Sequence, residues 1–321
     1  FVLLAHSSPT KPHYLEVVQF SNTDRTYYPL KTWSSTPSSF EADIRVSEVA
    51  SLVLKNEAGT EVAKDAFLDP NRFEAVLLSP VQDSDEQPKG IPLVCFPHGG
   101  PHSAHSLAFN PGLAALVMSG IAVVLVNFRG SIGLGEASLQ SLLGNVGFQD
   151  VAECLGATEW ALSEDDRLDR SRVGVFGGSH GGFLGAHLSG QRAGLFRAAV
   201  LRNPVVNIAT MSGVTDIPDW CYAECKLGET RAALSSDVMM RMMMRSPIVH
   251  YQNVTAATLL QLGANDLRVP PEQGLEWKRA LESLGVPVSV SWYPNSGHAL
   301  AEAAANDHSW LQSISWFLTY L

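Results

Sequence analysis

The sequence FGGSHGG at residues 176–182 follows a short apolar run, RVGV at residues 172–175. It contains Gly-x-Ser-x-Gly, with the serine at position 179. When an apolar strand enters such a turn and continues into a helix, the serine is left on a tight corner with its hydroxyl exposed. Glycine is expected on both sides because so tight a turn has little room for side chains. The alternative is a glycine-rich turn that holds a serine by chance, and the rest of the sequence decides between the two.

The same motif predicts the fold, because strand, Gly-x-Ser-x-Gly turn and helix together form the nucleophile elbow of the α/β-hydrolase fold. From about residue 72, apolar strands alternate with helical stretches. The predicted strands are residues 73–78, 93–96, 121–126, 173–176, 198–201, 258–262 and 286–292. The predicted helices are residues 112–118, 147–163, 181–191, 272–284 and 309–321. This alternation indicates a doubly wound, mostly parallel sheet that is covered by helices on both faces.

The N-terminal part of the chain has a different pattern. Residues 1–55 contain short β-like runs separated by turn residues, without a clear helix, and are too few to enclose a core of their own. The chain begins without methionine in the middle of an apolar pattern, so we expect a fragment or a product of processing. The polar stretch DSDEQP at residues 83–88 is expected to form an exposed loop.

Composition narrows the possible functions. A chain of 321 residues, 45% hydrophobic and 17% charged, is long enough for one large α/β domain, alone or with a piece of another. The net charge of −10 and the lack of a basic stripe argue against a nucleic acid or an anionic membrane as partner. No apolar run reaches the length of a membrane span. Cys221 and Cys225 are four residues apart, but no second pair completes a metal site. A small number of cysteines in a chain of this length fits a reducing cytosol: Cys95, Cys154, Cys221 and Cys225.

A serine nucleophile needs a base to take its proton and an acid to orient that base. In the α/β-hydrolase fold these partners follow the serine in the order Asp, His. Asp266 comes directly after the predicted strand 258–262, and His298 lies just past the strand 286–292. Doubly wound sheets place their sites at the carboxyl ends of strands. We therefore predict Ser179 as nucleophile, His298 as base and Asp266 as the orienting acid.

Other acidic and histidine residues after the serine are weaker candidates, because each lies within a helix, before a helix or in a loop that follows no strand. They are His187, Asp216, Asp219, His250, Asp307 and His308. Taken alone, Asp266 or His298 could be an ordinary loop residue. A triad is favoured because both residues follow Ser179 in the expected order and each comes after a predicted strand.

Acyl transfer also needs two backbone N–H groups that form an oxyanion hole. The first is expected from His180, the residue after the serine. The second is expected from the loop PHGGPH at residues 97–102, with Gly100 as donor, because glycine lets the backbone approach the oxyanion. Three histidines in this region could suggest a metal site, but with no acidic or cysteine ligand nearby we expect loop packing: His98, His102 and His105.

Several stretches together resemble the prolyl oligopeptidase family of serine peptidases over about residues 70–321. They are HGGPH at 98–102, NFRGS at 127–131, GGSHGG at 177–182, RNP at 202–204, DLRVP at 266–270 and GH at 297–298. Histidine after the serine, GNVG at 144–147 and DIPDWC at 216–221 are similar to one branch of that family. The resemblance implies release of an N-acylated, typically N-acetylated, residue from the start of a short peptide. The reaction would pass through an acyl-enzyme, without a metal or an organic cofactor.

The resemblance implies roles for two further residues. Arg268 matches an arginine that binds a substrate carbonyl upstream of the scissile bond, a task that suits the planar guanidinium. Without the resemblance, a surface ion pair would be the expected role of Arg268. Trp220 matches an aromatic residue that borders the specificity pocket, and a core tryptophan is the alternative. The rival functions are a general carboxylesterase or another oligopeptidase of the same fold, and a non-catalytic binding module.

The resemblance also implies a larger organisation. Members of the family carry an N-terminal β-propeller that covers the active site and restricts access to short peptides. Residues 1–55 are expected to be the incomplete end of that propeller and the interdomain linker, and residues 56–321 the catalytic domain. A homo-oligomer is expected because relatives often form one.

Overall fold

The computed structural model describes residues 2–12, 14–20, 27–34, 44–46, 50–55, 59–62, 71–81, 89–228 and 234–321. At the N-terminus, three strands form a small antiparallel sheet: β1 Val2–His6, β2 Tyr14–Phe20 and β3 Tyr27–Ser34. The loop predicted at residues 83–88 lies outside the described residues, as does the remainder of the predicted propeller remnant.

The second sheet carries the candidate site. Its described strands are β4 Ile44–Val46, β5 Ala50–Lys55, β6 Gly59–Val62, β7 Phe73–Pro80, β8 Ile91–Pro97, β9 Ala122–Asn127, β10 Leu168–Gly178, β11 Phe196–Arg202, β12 Ala257–Gly263 and β13 Val288–Tyr293. They lie in the order β13-β12-β11-β10-β8-β9-β7-β5-β6, with β4 paired to β7. The six strands from β13 to β9 are parallel, and β7 joins β9 in the antiparallel sense. The sheet is therefore mostly parallel where the candidate site lies.

Helices cover both faces of this sheet. The described α-helices are α1 Pro111–Met118, α2 Glu136–Leu142, α3 Gln149–Glu164, α4 His180–Gln191, α5 Ile208–Met211, α6 Pro218–Glu224, α7 Ser236–Met244, α8 Glu272–Glu282 and α9 Ala303–Tyr320, and residues 247–253 form a 3-10 helix. Side chains of α1 and α9 pack on one face, and side chains of α3, α4 and α8 pack on the other.

Strand periodicity explains why both faces are apolar. In β8, Leu93 and Cys95 pack in the cluster beneath α3 and α4, whereas Val94 between them packs in the cluster beneath α1 and α9. Alternate side chains of a strand point to opposite faces, so a strand covered on both faces has to be apolar throughout. All seven residues of β12 are buried accordingly.

The predicted α/β-hydrolase fold is confirmed for the large sheet and the helices that cover it. The seven predicted strands correspond to β7–β13, and the five predicted helices to α1, α3, α4, α8 and α9. The helix predicted at residues 309–321 begins six residues earlier, at Ala303. The sequence pattern does not predict α2, α5, α6 or α7, which are at most nine residues long.

The N-terminal strands bear on the predicted domain division. β4 and β5 precede residue 56, and both pair with β7 in the large sheet. The division at residue 55 and the assignment of residues 1–55 to the end of a β-propeller stay predictions. Within the described residues, none of the helices combines the length and the apolar character needed to cross a membrane.

Candidate active site

The serine of the Gly-x-Ser-x-Gly motif lies between β10, which ends at Gly178, and α4, which begins at His180. Ser179 has φ 57° and ψ −120°. A non-glycine residue with positive φ costs of order 1–3 kcal/mol and persists only where the surroundings impose it. The sharp corner predicted from the sequence is therefore present at Ser179.

The glycines on either side of the serine are required by close packing. A Cβ on Gly177 would overlap the backbone of Gly181 across the turn. A Cβ on Gly181 would lie 2.5 Å from the carbonyl oxygen of Pro97, at the start of the PHGGPH loop. Glycine at both positions thus allows the turn to close and the loop after β8 to pack against it.

The predicted acid and base are in contact. Asp266 Oδ2 lies 2.6 Å from His298 Nδ1, and Asp266 Oδ1 accepts hydrogen bonds of 2.9 Å from the N–H groups of Arg268 and Val269. Because a carboxylate only accepts, Nδ1 of the imidazole carries the proton, and Nε2 of the neutral ring keeps a free lone pair. His298 in this tautomer can take a proton from a hydroxyl.

A pocket of about 270 Å³ brings the predicted site residues together. It is lined by Gly100, Ser179, Val205, Met211, Ile217, Trp220, Arg268, Val269 and His298. Asp266 is 3% exposed and lies behind His298. Serine, histidine and the glycine of the predicted oxyanion loop therefore face one cavity with mostly apolar walls.

Helix α6 contacts the PHGGPH loop at residues 97–102 from one side. Trp220 Nε1 donates a hydrogen bond of 3.2 Å to the carbonyl oxygen of Gly100. The helix begins with Pro218 in its first turn, a position where the missing proline N–H is harmless. Trp220 is thus part of the pocket wall and also fixes the peptide that follows Gly100.

The side chain of His180 is buried behind the elbow. Its Nε2 lies 2.9 Å from Asp150 Oδ2, and its ring stacks on Phe183 at a centroid distance of 4.9 Å. Asp150 Oδ1 accepts a hydrogen bond of 2.8 Å from the N–H of Gly147. As the first residue of α4, His180 has a backbone N–H without a partner inside the helix, so it is free to donate to a ligand.

Arg268 forms a surface ion pair. Its Nε donates to Asp216 Oδ1 at 2.7 Å and its Nη2 to Oδ2 at 3.3 Å, with both side chains more than 40% exposed. Hydrogen bonding with Arg268 holds the pKa of Asp216 below its ordinary value and raises the pKa of Arg268. Asp216 also donates its N–H to the carbonyl of Leu267 at 2.9 Å. Arg268 thus lines the pocket while Asp216 orients its guanidinium.

His98, His102 and His105 each have backbone or side-chain partners. His98 Nε2 lies 2.7 Å from Ser131 Oγ, and burial lowers the pKa of His98 to about 3. His105 Nε2 lies 2.8 Å from the carbonyl oxygen of Phe96. Across the described ranges, no group of three or more His, Cys, Asp or Glu side chains could hold a metal ion.

An ion pair between a partly exposed arginine and a buried carboxylate supports the loop that follows β9. Arg129 pairs through Nε with Glu153 of α3, and the N–H of Arg129 donates to the other carboxylate oxygen at 2.6 Å. Burial raises the pKa of Glu153 to about 7, against the opposing effect of Arg129. This pair fixes residues 128–131, on which His98 and His102 rest.

Asn203, part of the RNP stretch at residues 202–204, supports the candidate site. It is buried, has φ 42°, and follows β11. Its Nδ2 donates to the carbonyl oxygen of His298 at 2.8 Å, and its Oδ1 accepts from the N–H of Gly263 at 2.9 Å. One side chain therefore links the end of β12, which carries Asp266, to the loop that carries His298.

We expect Asn203→Ala to lower kcat roughly 10- to 100-fold with a smaller change in KM, because a misplacement of about 1 Å at His298 is enough for such a loss. Asn203→Asp keeps the acceptor for Gly263 and loses the donor to His298, so it separates the two contacts. Steady-state kinetics beside thermal unfolding measures both effects. A folded Asn203→Ala variant with native kcat would contradict this role.

Comparison with known proteins supports the family that these residues suggested. Residues 108–321 match the profile of the prolyl oligopeptidase family. This chain belongs to the prolyl oligopeptidase family. It is 45% identical over 250 residues to the acylamino-acid-releasing enzymes of Rattus norvegicus and Homo sapiens, which covers 78% of this chain and 34% of each relative. The chain thus spans about one third of the length of the curated relatives it matches.

Solved structures share its fold. The acylaminoacyl peptidase of Pyrococcus horikoshii superposes with a TM-score of 0.79 at 20% identity, covering 99% of this chain and 48% of the other. A puromycin-hydrolyzing peptidase of Mycobacterium tuberculosis gives a TM-score of 0.80 at 21% identity, covering 100% and 46%. The predicted family membership is confirmed. The catalytic and binding roles of individual site residues are proposals.

Proposed function

We propose that this chain carries the catalytic part of a serine peptidase that releases the N-acylated, typically N-acetylated, first residue of short peptides. The observation that carries the proposal is the 2.6 Å contact between Asp266 and His298, in a pocket that His298 shares with Ser179 on its elbow. Relatives that are 44–45% identical to this chain and named acylamino-acid-releasing enzymes support the choice of substrate.

The mechanism is acyl transfer to the serine. Ser179 Oγ attacks the carbonyl carbon of the acylated residue while His298 Nε2 takes the hydroxyl proton. The N–H groups of Gly100 and His180 hold the oxyanion. His298 then gives its proton to the departing amine, the peptide bond breaks, and the N-acyl aminoacyl group stays on Ser179 as an ester. In the second step His298 takes a proton from water, the resulting hydroxide attacks the ester carbonyl, and His298 returns the proton to Ser179 Oγ as the N-acyl amino acid leaves. Asp266 stabilises the imidazolium in both steps.

The walls of the pocket give a reason for preferring an acylated amine. Four of the lining residues are aliphatic or thioether side chains: Val205, Met211, Ile217 and Val269. A free α-ammonium would lose its hydration against such walls, which is costly for a charged group without a partner. An amide nitrogen avoids that cost. Arg268 is proposed to donate to the carbonyl of the acyl group, and Trp220 to border the space for the first side chain.

Three further features belong to this proposal. Residues 56–321 would form the catalytic domain, and residues 1–55 the end of a propeller and the linker. The protein would act in the cytoplasm, where four free and buried cysteines stay reduced. It would form a homo-oligomer, as the family resemblance implies. Hydrolysis by this route needs water and no cofactor.

The test is hydrolysis of N-acetyl-alanyl p-nitroanilide beside alanyl p-nitroanilide by the full-length natural protein. We expect kcat/KM to favour the acetylated amide by roughly 100-fold or more, the effect of about 3 kcal/mol of unfavourable ammonium burial. Equal or reversed preference would overturn the proposed specificity and favour another oligopeptidase. Turnover of p-nitrophenyl acetate without turnover of either amide would favour a carboxylesterase.

A further inference from the structure

His102, two residues after Gly100, has a hydrogen-bond acceptor at each ring nitrogen. Its Nδ1 lies 2.8 Å from the carbonyl oxygen of Gly130, and its Nε2 lies 3.3 Å from Glu224 Oε1. A carbonyl oxygen and a carboxylate oxygen only accept, whereas a neutral imidazole carries a single N–H. Both contacts are therefore satisfied at once only by the imidazolium form of His102.

Glu224 is the group that needs this cation. Its side chain is 4% exposed, and its Oε2 is buried with no hydrogen-bond partner among the described residues. A buried carboxylate without a cationic partner is strongly destabilised. The hydrogen bond with Glu224 raises the pKa of His102, and the bond to Gly130 adds to that effect while burial opposes it.

The pair lies next to the proposed oxyanion donor. Glu224 is the last residue of α6, and Trp220 of the same helix donates to the carbonyl of Gly100. Helix α6 thus holds the loop at two points, a neutral hydrogen bond at Gly100 and a charged one at His102. Loss of the charged contact leaves the peptide that precedes Pro101 held by the neutral bond to Trp220.

Of the titratable groups around this pair, Glu153 also ionises near neutral pH, but it gains its charge as the pH rises and so strengthens its pair with Arg129. His102 is the group whose contacts weaken as the pH rises. His98 on the same loop is neutral because burial lowers its pKa to about 3. Arg129, beside Gly130, is occupied by Glu153. On α6 and just after it, burial raises the pKa values of the Cys221 and Cys225 thiols to about 12, and the stem of Lys226 packs over Gly144.

We propose that His102 and Glu224 are positioning residues that keep the N–H of Gly100 oriented into the oxyanion hole, and that this orientation is fully maintained only while His102 is protonated. This inference rests on the proposed function, in which Gly100 donates to the oxyanion. The pKa of His102 is raised on folding, so the contact is fully present below the unfolded value of about 6.5 and is lost as the pH rises through the higher folded value. Activity therefore falls on the alkaline side as His102 loses its proton.

The experiment is the pH dependence of kcat and KM for p-nitrophenyl acetate and the acetylated anilide, with the full-length natural protein and its Glu224→Gln variant. We expect the alkaline limb of kcat in Glu224→Gln to move at least about one unit toward lower pH, because a carboxylate within 4 Å no longer favours the imidazolium. KM should change little. Glu282→Gln on α8 removes an equally charged but exposed carboxylate and should leave the profile unchanged.

A second variant keeps the inference testable if Glu224→Gln does not fold. His102→Gln has no titrating ring, so its kcat should be lower than native and should lack the native alkaline limb. In an NMR titration of the native protein, the imidazole resonance that is missing from His102→Gln belongs to His102 and gives its pKa directly. A native alkaline limb in a folded Glu224→Gln or His102→Gln protein, or a His102 pKa at or below about 6.5, would overturn the inference. Failure of the native protein to turn over either substrate would instead count against the proposed function. The titration of the His102 imidazole would still show whether its pKa lies above about 6.5, as the inference requires.

Discussion

Replacing Ser179 with alanine is expected to lower kcat at least about 10⁴-fold while the fold is retained, because the variant keeps the oxyanion donors and loses the atom that forms the acyl-enzyme. Alanine suits the site, since it removes a single oxygen from a side chain that lines an open pocket. The measurement is hydrolysis of N-acetyl-alanyl p-nitroanilide by purified full-length protein, with thermal unfolding to establish that the variant is folded.

The matched control is Ser283→Ala, an exposed serine just after α8, whose activity should equal that of the native protein. More than about 1% of native kcat in Ser179→Ala would mean that another group is the nucleophile. In that case the elbow would be a structural turn and the mechanism would be wrong.

Replacing Asp266 with asparagine is expected to lower kcat roughly 10³- to 10⁴-fold with little loss of stability. The position of Oδ1 accepts two backbone N–H groups, so the amide oxygen of asparagine has to occupy it. The amide NH₂ then faces His298 Nδ1, which has to accept, and the ring proton moves to Nε2. His298 in that tautomer presents an N–H to the serine and cannot act as its base.

Asp237→Asn provides the control, because Asp237 is exposed in the first turn of α7 and changes the same charge. Its kcat should stay at the native value. An Asp266→Asn protein that kept native kcat would show that His298 does not depend on Asp266 for its tautomer, which would remove the acid from the mechanism.

The fold could be predicted from local sequence, and so could the positions of the three side chains that are proposed as nucleophile, base and acid. The parallel strands are buried on both faces, so β12 is a continuous apolar run that is visible without any partner strand. The elbow needs glycine at residues 177 and 181 for close packing, and this requirement leaves a motif in the sequence. Asp266 and His298 each follow a strand, and the fold brings the ends of those strands to one edge.

The supporting contacts could not be predicted because they join distant residues. Asn203 contacts His298 across 95 positions, and Trp220 contacts Gly100 across 120. For Arg268 a surface ion pair is the alternative role expected from the sequence, but its partner Asp216 lies in another loop and could not be identified. Nothing in the local pattern of either partner specifies the other, since these contacts exist only after the sheet has assembled.

The short helices around the pocket could not be predicted from the sequence, for a different reason. α5 has four residues and α6 seven, which is fewer than two full turns and too short for an apolar periodicity to emerge. The signals present were local, namely Pro218 at the start of α6 and the Ser235 cap of α7, whose side chain accepts from the N–H of Val238. Such signals mark the start of a helix without giving its length.

The most direct measurement of the central claim is the site of modification by a fluorophosphonate probe, determined by mass spectrometry on the folded full-length protein. The account predicts one adduct on the peptide that contains Ser179, formed through the activated hydroxyl, slowed in Asp266→Asn and abolished in Ser179→Ala. A folded protein that takes up no label, or an adduct on any other residue, would contradict the account and favour a binding module that retains the fold without the chemistry.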